Sequence, residues 1–133
     1  MKRYAKEEAA LLRLIGVRPP EVLAVDLDGT VAVFNKWHGY FSIGKPVVRV
    51  VRWLRGKKKS GAYIIIHTCR ISLANNKIFP ASLKNLKAWL KKNRVPYDEI
   101  WVSRGKPGAS VYLDDHGYRI GCKTCEHALG LGR

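Results

Sequence analysis

The stretch Val22-Leu23-Ala24-Val25-Asp26-Leu27-Asp28-Gly29-Thr30 decides how the rest of the chain is read. Four apolar residues in succession, with no polar alternation, are the pattern of a strand buried on both faces of a parallel sheet. Pro19-Pro20 hold the chain extended on its way into that strand. The run stops at a carboxylate, and Gly29 lets the backbone leave at once while Thr30 offers a hydroxyl. Ligands of open α/β sheets bind at the carboxyl ends of strands, which is where Asp26 and Asp28 fall. Two positions apart, they point the same way if the strand continues. Such neighbours repel each other unless a cation or a shared proton compensates. A strand-end turn is the competing reading, because Asp and Gly are common turn residues.

Three further pieces lie outward from this stretch. Val111-Tyr112-Leu113-Asp114-Asp115 is again a short apolar strand ending in paired carboxylates. Gathered at one sheet edge, the four acids would call for a divalent cation such as Mg²⁺. Ile64-Ile65-Ile66-His67-Thr68-Cys69-Arg70 is a strand ending instead in a hydroxyl and a guanidinium, both phosphate-binding groups. Lys106, eight residues before Asp114, is a point charge able to neutralise a phosphate. Thr68, Arg70 and Lys106, each taken alone, would be an ordinary strand end or a solvated cation.

Helical and strand periods alternate around these pieces. Tyr4, Ala9, Leu11, Leu12 and Ile15 recur at helical spacing and predict a helix over 3–15. Pro46 opens a helix over 46–56 that turns Val47, Val48, Val50, Val51 and Leu54 inward, with Gly56 and Lys57-Lys58-Lys59 as its stop. Strands are expected at 22–25, 62–67, 99–103 and 110–113, and a helix at 80–93 with Leu83, Leu86 and Leu90 inward. Residues 29–45 read as a loop or short hairpin, residues 69–79 as a polar loop through Asn75-Asn76, and the Gly-rich stretch after Gly117 has little pattern. The class is α/β with a mainly parallel sheet.

With 133 residues the chain has the length of one domain: an N-terminal helix (1–18), a motif-bearing core (20–118) and a tail (119–133). Its 47% hydrophobic content, four Trp and six Tyr exclude intrinsic disorder. No apolar run approaches the ~20 residues that span a bilayer, so no membrane partner is expected. Three Cys are too few for a disulfide framework and point to a reducing, cytoplasmic setting. Twenty-five Lys and Arg against ten Asp and Glu give a net charge of +15, which favours anionic substrates or partners. From Gly29 to Tyr97 there is no acid and there are fifteen basic residues. In so acid-poor a chain, the two clustered carboxylate pairs stand out.

In order and spacing these pieces resemble the motifs of the haloacid dehalogenase superfamily of Mg²⁺-dependent phosphohydrolases. Asp26-Leu27-Asp28-Gly29-Thr30 resembles its DxDGT motif. The run ending at Thr68 resembles its second motif, Lys106 its third-motif lysine, and Asp114-Asp115 its acidic fourth motif. Ile43-Gly44-Lys45-Pro46 and Lys106-Pro107-Gly108-Ala109 further resemble the small phosphatase-like members of bacteria and phages. The likeness covers residues 20–118; it departs at His116-Gly117, where many relatives carry a basic residue and Ala.

The resemblance implies a three-layer Rossmann-like fold with at least four strands in the order 3-2-1-4. It implies no cap domain, since 29–45 and 104–109 are too short for one. It implies Asp26 as nucleophile, Asp28 as acid and base, and a Mg²⁺ cofactor held by Asp26, the Asp28 backbone carbonyl and Asp114, with Asp115 as ligand or neighbour. Thr68 and Lys106 would grip the phosphoryl oxygens, joined by Arg70, with Gly29 and Thr30 beside the phosphorylated substrate. The strand order makes residues 104–109 cross three strand spacings, roughly 14 Å, on a nearly taut link.

In that order the helices at 46–56 and 80–93 cover one sheet face. Their Arg49/Arg52/Arg55 and Lys84/Lys87/Lys91 rows are then either an ordinary solvated face or a surface for a nucleic-acid backbone. Two alternatives to a general phosphatase follow: a polynucleotide end-processing phosphatase, or a non-catalytic basic binding module on the same fold. Cys122-Lys123-Thr124-Cys125-Glu126-His127 is a weak zinc or redox signal, because His116 or Cys69 would have to complete the ligand set. His38 and His67 are read as structural histidines near the site.

Overall fold

The computed structural model describes residues 6–16, 20–71, 79–103, 105–117 and 120–131. The elements in chain order are α1 (Lys6–Leu14), β1 (Val22–Val25), α2 (Val48–Lys59), β2 (Tyr63–Ile66), α3 (Phe79–Lys92), β3 (Glu99–Ile100), β4 (Val111–Leu113) and α4 (Lys123–Ala128). The strands form one all-parallel sheet ordered β3-β2-β1-β4, an α/β Rossmann-like fold with the expected topology. Among the described residues no helix is long and apolar enough to cross a membrane.

The unbroken apolar runs of β1 and β2 form the centre of the sheet because both their faces are covered. Leu23, Val25, Ile64 and Ile66 join Val51 and Leu54 of α2 and Leu86 and Leu90 of α3 in one buried cluster, so both helices cover the same face. Ala24 and Ile65 point the other way and are equally buried. Tyr112 shares that second face by its register with Ala24, and its hydroxyl donates to the carbonyl of the fully buried Pro107.

Several boundaries differ from the sequence reading. α2 continues through Gly56 and its lysines to Lys59 and ends at Ser60-Gly61, with Gly61 at φ 96°. A single exposed Gly costs a helix only ~1 kcal/mol, and three lysines in the last turn favour the helix dipole. β3 is two residues long rather than five, which leaves ten residues, 101–110, between Ile100 and Val111. The link to β4 is therefore longer in sequence than the 104–109 expected. Helix α4 was not expected: six residues with no buried side chain give no apolar period to detect. α1 forms, yet Leu11, Leu14 and Ile15 remain exposed. The predicted start of the first helix and the loop around Asn75-Asn76 lie outside the described residues.

Residues 29–45 are mostly loop, as expected, closed at the base by an isolated antiparallel bridge between Ala32 and Pro46. The backbone turns around the Leu27 carbonyl, which accepts from the amides of Thr30, Val31 and Ala32. Val33 N then donates to Lys45 O (2.8 Å) and Val47 N to Val31 O (2.7 Å), closing the stem. Gly44 is needed there, since a Cβ would lie 2.0 Å from the Val33 carbonyl oxygen. The loop beyond the stem is fastened to α3 by Asn85 Nδ2 donating to Phe41 O (3.1 Å) and Trp89 Nε1 to Gly44 O (3.0 Å).

Candidate active site

The sheet ladder continues past its strands and sets the chemistry at one edge. Asp26 N donates to Leu113 O (2.9 Å) and His67 N to Val25 O (2.8 Å), so the three chain segments that leave β1, β2 and β4 start side by side. Asp26, Asp114 and Asp115 each present a carboxylate oxygen, all within 4.8 Å of one another. The carboxylate pairs, 86 residues apart in the chain by count from Asp28 to Asp114, thus converge. Asp115 reaches its place only because residue 29 is glycine: a Cβ there would lie 2.1 Å from an Asp115 oxygen, and φ is +85°. Asp114 is held by His116 N (2.8 Å), and Asp115 pairs with the exposed His116 ring (3.3 Å).

Burial and this crowding together raise the Asp26 carboxyl from its ordinary value of 3.8 to about 7. Burial contributes most, then the Asp114 charge; the Leu27 amide works against them, and Asp115 adds its charge and a hydrogen bond. Three carboxylates that repel one another at this spacing, all hard oxygen donors, fit a divalent cation such as Mg²⁺. Among the described residues they form the only such group of potential ligands; Cys122, Cys125 and His127 do not gather into one.

The expected fourth carboxylate stands apart from the three. Asp28 accepts from Arg70 through both oxygens, from Nε at 2.7 Å and Nη2 at 2.9 Å. Arg70 is buried, and its remaining bonds go to Gly39 O from Nη1 (2.8 Å) and Ser42 O from Nη2 (2.8 Å). The chain bends after Leu27, so Asp26 and Asp28 do not continue one strand. Asp26 turns to the acids of β4 and Asp28 to the guanidinium beyond β2. Arg70 spends four hydrogen bonds inside the protein rather than facing a phosphate, and it ties Asp28 to the hairpin loop.

A cleft of about 420 Å³ opens over this edge, lined by Asp26, Asp28, Phe34, Trp37, His67, Thr68, Cys69, Asp114 and His116. Thr68, buried at the strand end, is where a phosphate-binding hydroxyl was expected. Thr30 lies in the turn below, its buried hydroxyl without a hydrogen-bond partner among the described residues. Lys106 does not line the cleft; its ammonium lies 4.0 Å from the centre of the Tyr112 ring. Phe34, Trp37 and Cys69 were missed as lining residues, and His67, read as structural, is one of them. Two aromatics within four residues of a loop of no clear period were the one sequence signal available.

The crystal structure of a protein from Vibrio cholerae is 32% identical, over 76% of this chain and 85% of that one, with a TM-score of 0.53. A conserved protein of Bacteroides thetaiotaomicron matches 86% of this chain and 93% of its own, with a TM-score of 0.53; at 16% identity the likeness is one of fold. A chain of the Pnkp1/Rnl/Hen1 RNA repair complex is 20% identical over 84% of this chain and 31% of its own, with a TM-score of 0.48, a likeness too slight to bear on function. No protein-family model matches the chain, and no curated protein matches it.

Proposed function

This chain belongs to one family with the Vibrio cholerae protein, and for its site we propose the chemistry of the haloacid dehalogenase superfamily, Mg²⁺-dependent hydrolysis of a phosphomonoester. The single observation that supports this most is the convergence of Asp26, Asp114 and Asp115 within 4.8 Å, with Asp26 and Asp114 lining one cleft with Asp28 and Thr68. Asp26, Asp114 and Asp115 would hold the ion, which when bound supplies positive charge against the phosphoryl oxygens.

Asp26 attacks phosphorus, the bond to the leaving oxygen breaks, and an aspartyl-phosphate forms. Asp28 gives its proton to the leaving oxygen and takes one from the water that hydrolyses the intermediate. Both Asp28 oxygens accept from Arg70, so protonation exchanges one of those bonds for the acid proton. Thr68 donates its hydroxyl to a phosphoryl oxygen. Lys106 has this role from the motif resemblance alone. Phosphoryl transfer depends mainly on positioning and charge neutralisation, which a cleft of fixed acids and hydroxyls supplies.

The end of a nucleic acid as substrate is a second reading, favoured by the outer faces of α2 and α3. Arg49, Arg52, Lys59, Lys84, Lys87, Lys91 and Lys92 are all exposed there, and neither helix carries an acid. Arg55 donates to the carbonyls of Asn93 and Arg94, joining the two basic rows.

The test is phosphate release from nucleotides, sugar phosphates and 5′- or 3′-phosphorylated oligonucleotides, with Mg²⁺ or with EDTA. Mg²⁺-dependent release is expected, greatest on oligonucleotides if the second reading holds. Salt-sensitive oligonucleotide binding with no release from any substrate would replace the enzyme by a basic binding module.

A further inference from the structure

We propose that Trp37, with Phe34, is a stacking platform for the nucleobase of the substrate, so that the cleft takes base-bearing phosphomonoesters in preference to plain sugar phosphates. The proposal names the substrate class of the phosphatase site above and rests on that reading.

Trp37 and Phe34 are 49% and 38% exposed, yet both line the cleft that holds Asp26, Asp28 and Asp114. Large aromatics left half in water beside a polar site mark a surface that a ligand covers. The indole is also held in place. The Arg70 guanidinium carbon sits 4.9 Å from its ring centre, and Tyr40 meets it edge-on at 4.9 Å and 86°. The loop that carries it is fastened at four carbonyls, Gly39 and Ser42 by Arg70, Phe41 by Asn85 and Gly44 by Trp89.

A ligand therefore meets a platform whose ordering cost is already met by the fold. The same buried Arg70 grips Asp28, so platform and acid are placed by one guanidinium. Every nucleobase has a π-face, and stacking on an aromatic side chain needs no base-specific hydrogen bond. His67 on the same cleft offers a ring nitrogen to a base or to ribose hydroxyls. At about 420 Å³ the cleft falls in the ~300–1,000 Å³ range of small-molecule sites. A net charge of +15 draws in nucleotides and oligonucleotides alike.

The experiment compares kcat/KM on 5′-AMP, a 5′-phosphorylated oligonucleotide and ribose 5-phosphate for wild type, Trp37→Ala, Trp37→Phe and Phe34→Ala. In Trp37→Ala the ratio of base-bearing to base-free activity falls by roughly 5- to 150-fold, the worth of one stacked base. Trp37→Phe restores most of it. A loss on both base-bearing substrates points to either source of the base, and a loss on one alone identifies that source; each supports the platform. A ratio within about twofold of wild type in Trp37→Ala overturns it. Calorimetric titration of Asp26→Asn protein with 5′-AMP, with and without Trp37→Ala, gives a readout independent of turnover. If no substrate releases phosphate the phosphatase reading fails, while the titration still decides the platform: equal affinities refute it.

Discussion

With its carboxyl raised to about 7, Asp26 is partly protonated at neutral pH in the metal-free protein, and that proton competes with any cation the site binds. Its carboxyl is raised from 3.8 to about 7 by burial and by Asp114 and Asp115. The sign follows from linkage. Between those two values the folded state keeps a proton that the unfolded chain has lost, so stability falls as pH rises from about 4 to about 7 and stays at the lower level above. A fully water-excluded cluster would lose about 4 kcal/mol over that span. With the cleft open to solvent, roughly half of that is the reasonable figure.

A cation that needs the ionised form therefore binds about tenfold more weakly at pH 6 than at pH 8 and becomes nearly pH-independent above that. Isothermal titration of EDTA-treated protein with Mg²⁺ at the two pH values measures this, with protons released on binding at the lower one. In Asp26→Asn the competing proton is gone, so its remaining affinity should vary much less with pH. Equal affinity of the wild type at both pH values would refute the assignment of the proton to Asp26. Absence of binding at either would remove the metal centre altogether.

Four other outcomes follow from the geometry. Asp26→Asn should release no phosphate yet fold fully, with a thermal midpoint in EDTA at pH 8, where the wild-type Asp26 is ionised, at or above that of the wild type because one repelling charge is gone; near-normal turnover would exclude Asp26 as nucleophile. Arg70→Ala leaves Asp28 without its buried partner and should cost about 3–5 kcal/mol in urea unfolding, against a change below ~0.5 kcal/mol if the pair were an ordinary surface bridge. Gly29→Ala places a methyl 2.1 Å from an Asp115 oxygen at φ +85°, so Mg²⁺ affinity should fall at least tenfold, read by the same titration. Replacing Arg49, Arg52, Lys84 and Lys87 with Gln should weaken single-stranded oligonucleotide binding and flatten its salt dependence by up to about 0.7 in log–log slope per lost phosphate contact; an unaltered slope would make the basic face merely solvated.

Much of the fold was readable from local pattern, because unbroken apolar runs and helical periods report directly on burial. β1, β2 and the inward faces of α2 and α3 fell where Leu23, Val25, Ile64, Ile66, Leu54, Leu86 and Leu90 required. The acidic doublets could be read as strand ends facing one edge, since a parallel sheet aligns all its carboxyl ends. Only the tertiary structure could separate the four acids into a group of three and an Asp28–Arg70 pair. That choice depends on the bend after Leu27 and on which side chains lie across the neighbouring strand end, neither of which a one-dimensional pattern encodes. The same holds for Trp37. Its loop has no period, and its place over the cleft comes from loop carbonyls that accept from Arg70, Asn85 and Trp89 across separations of 28 to 45 positions.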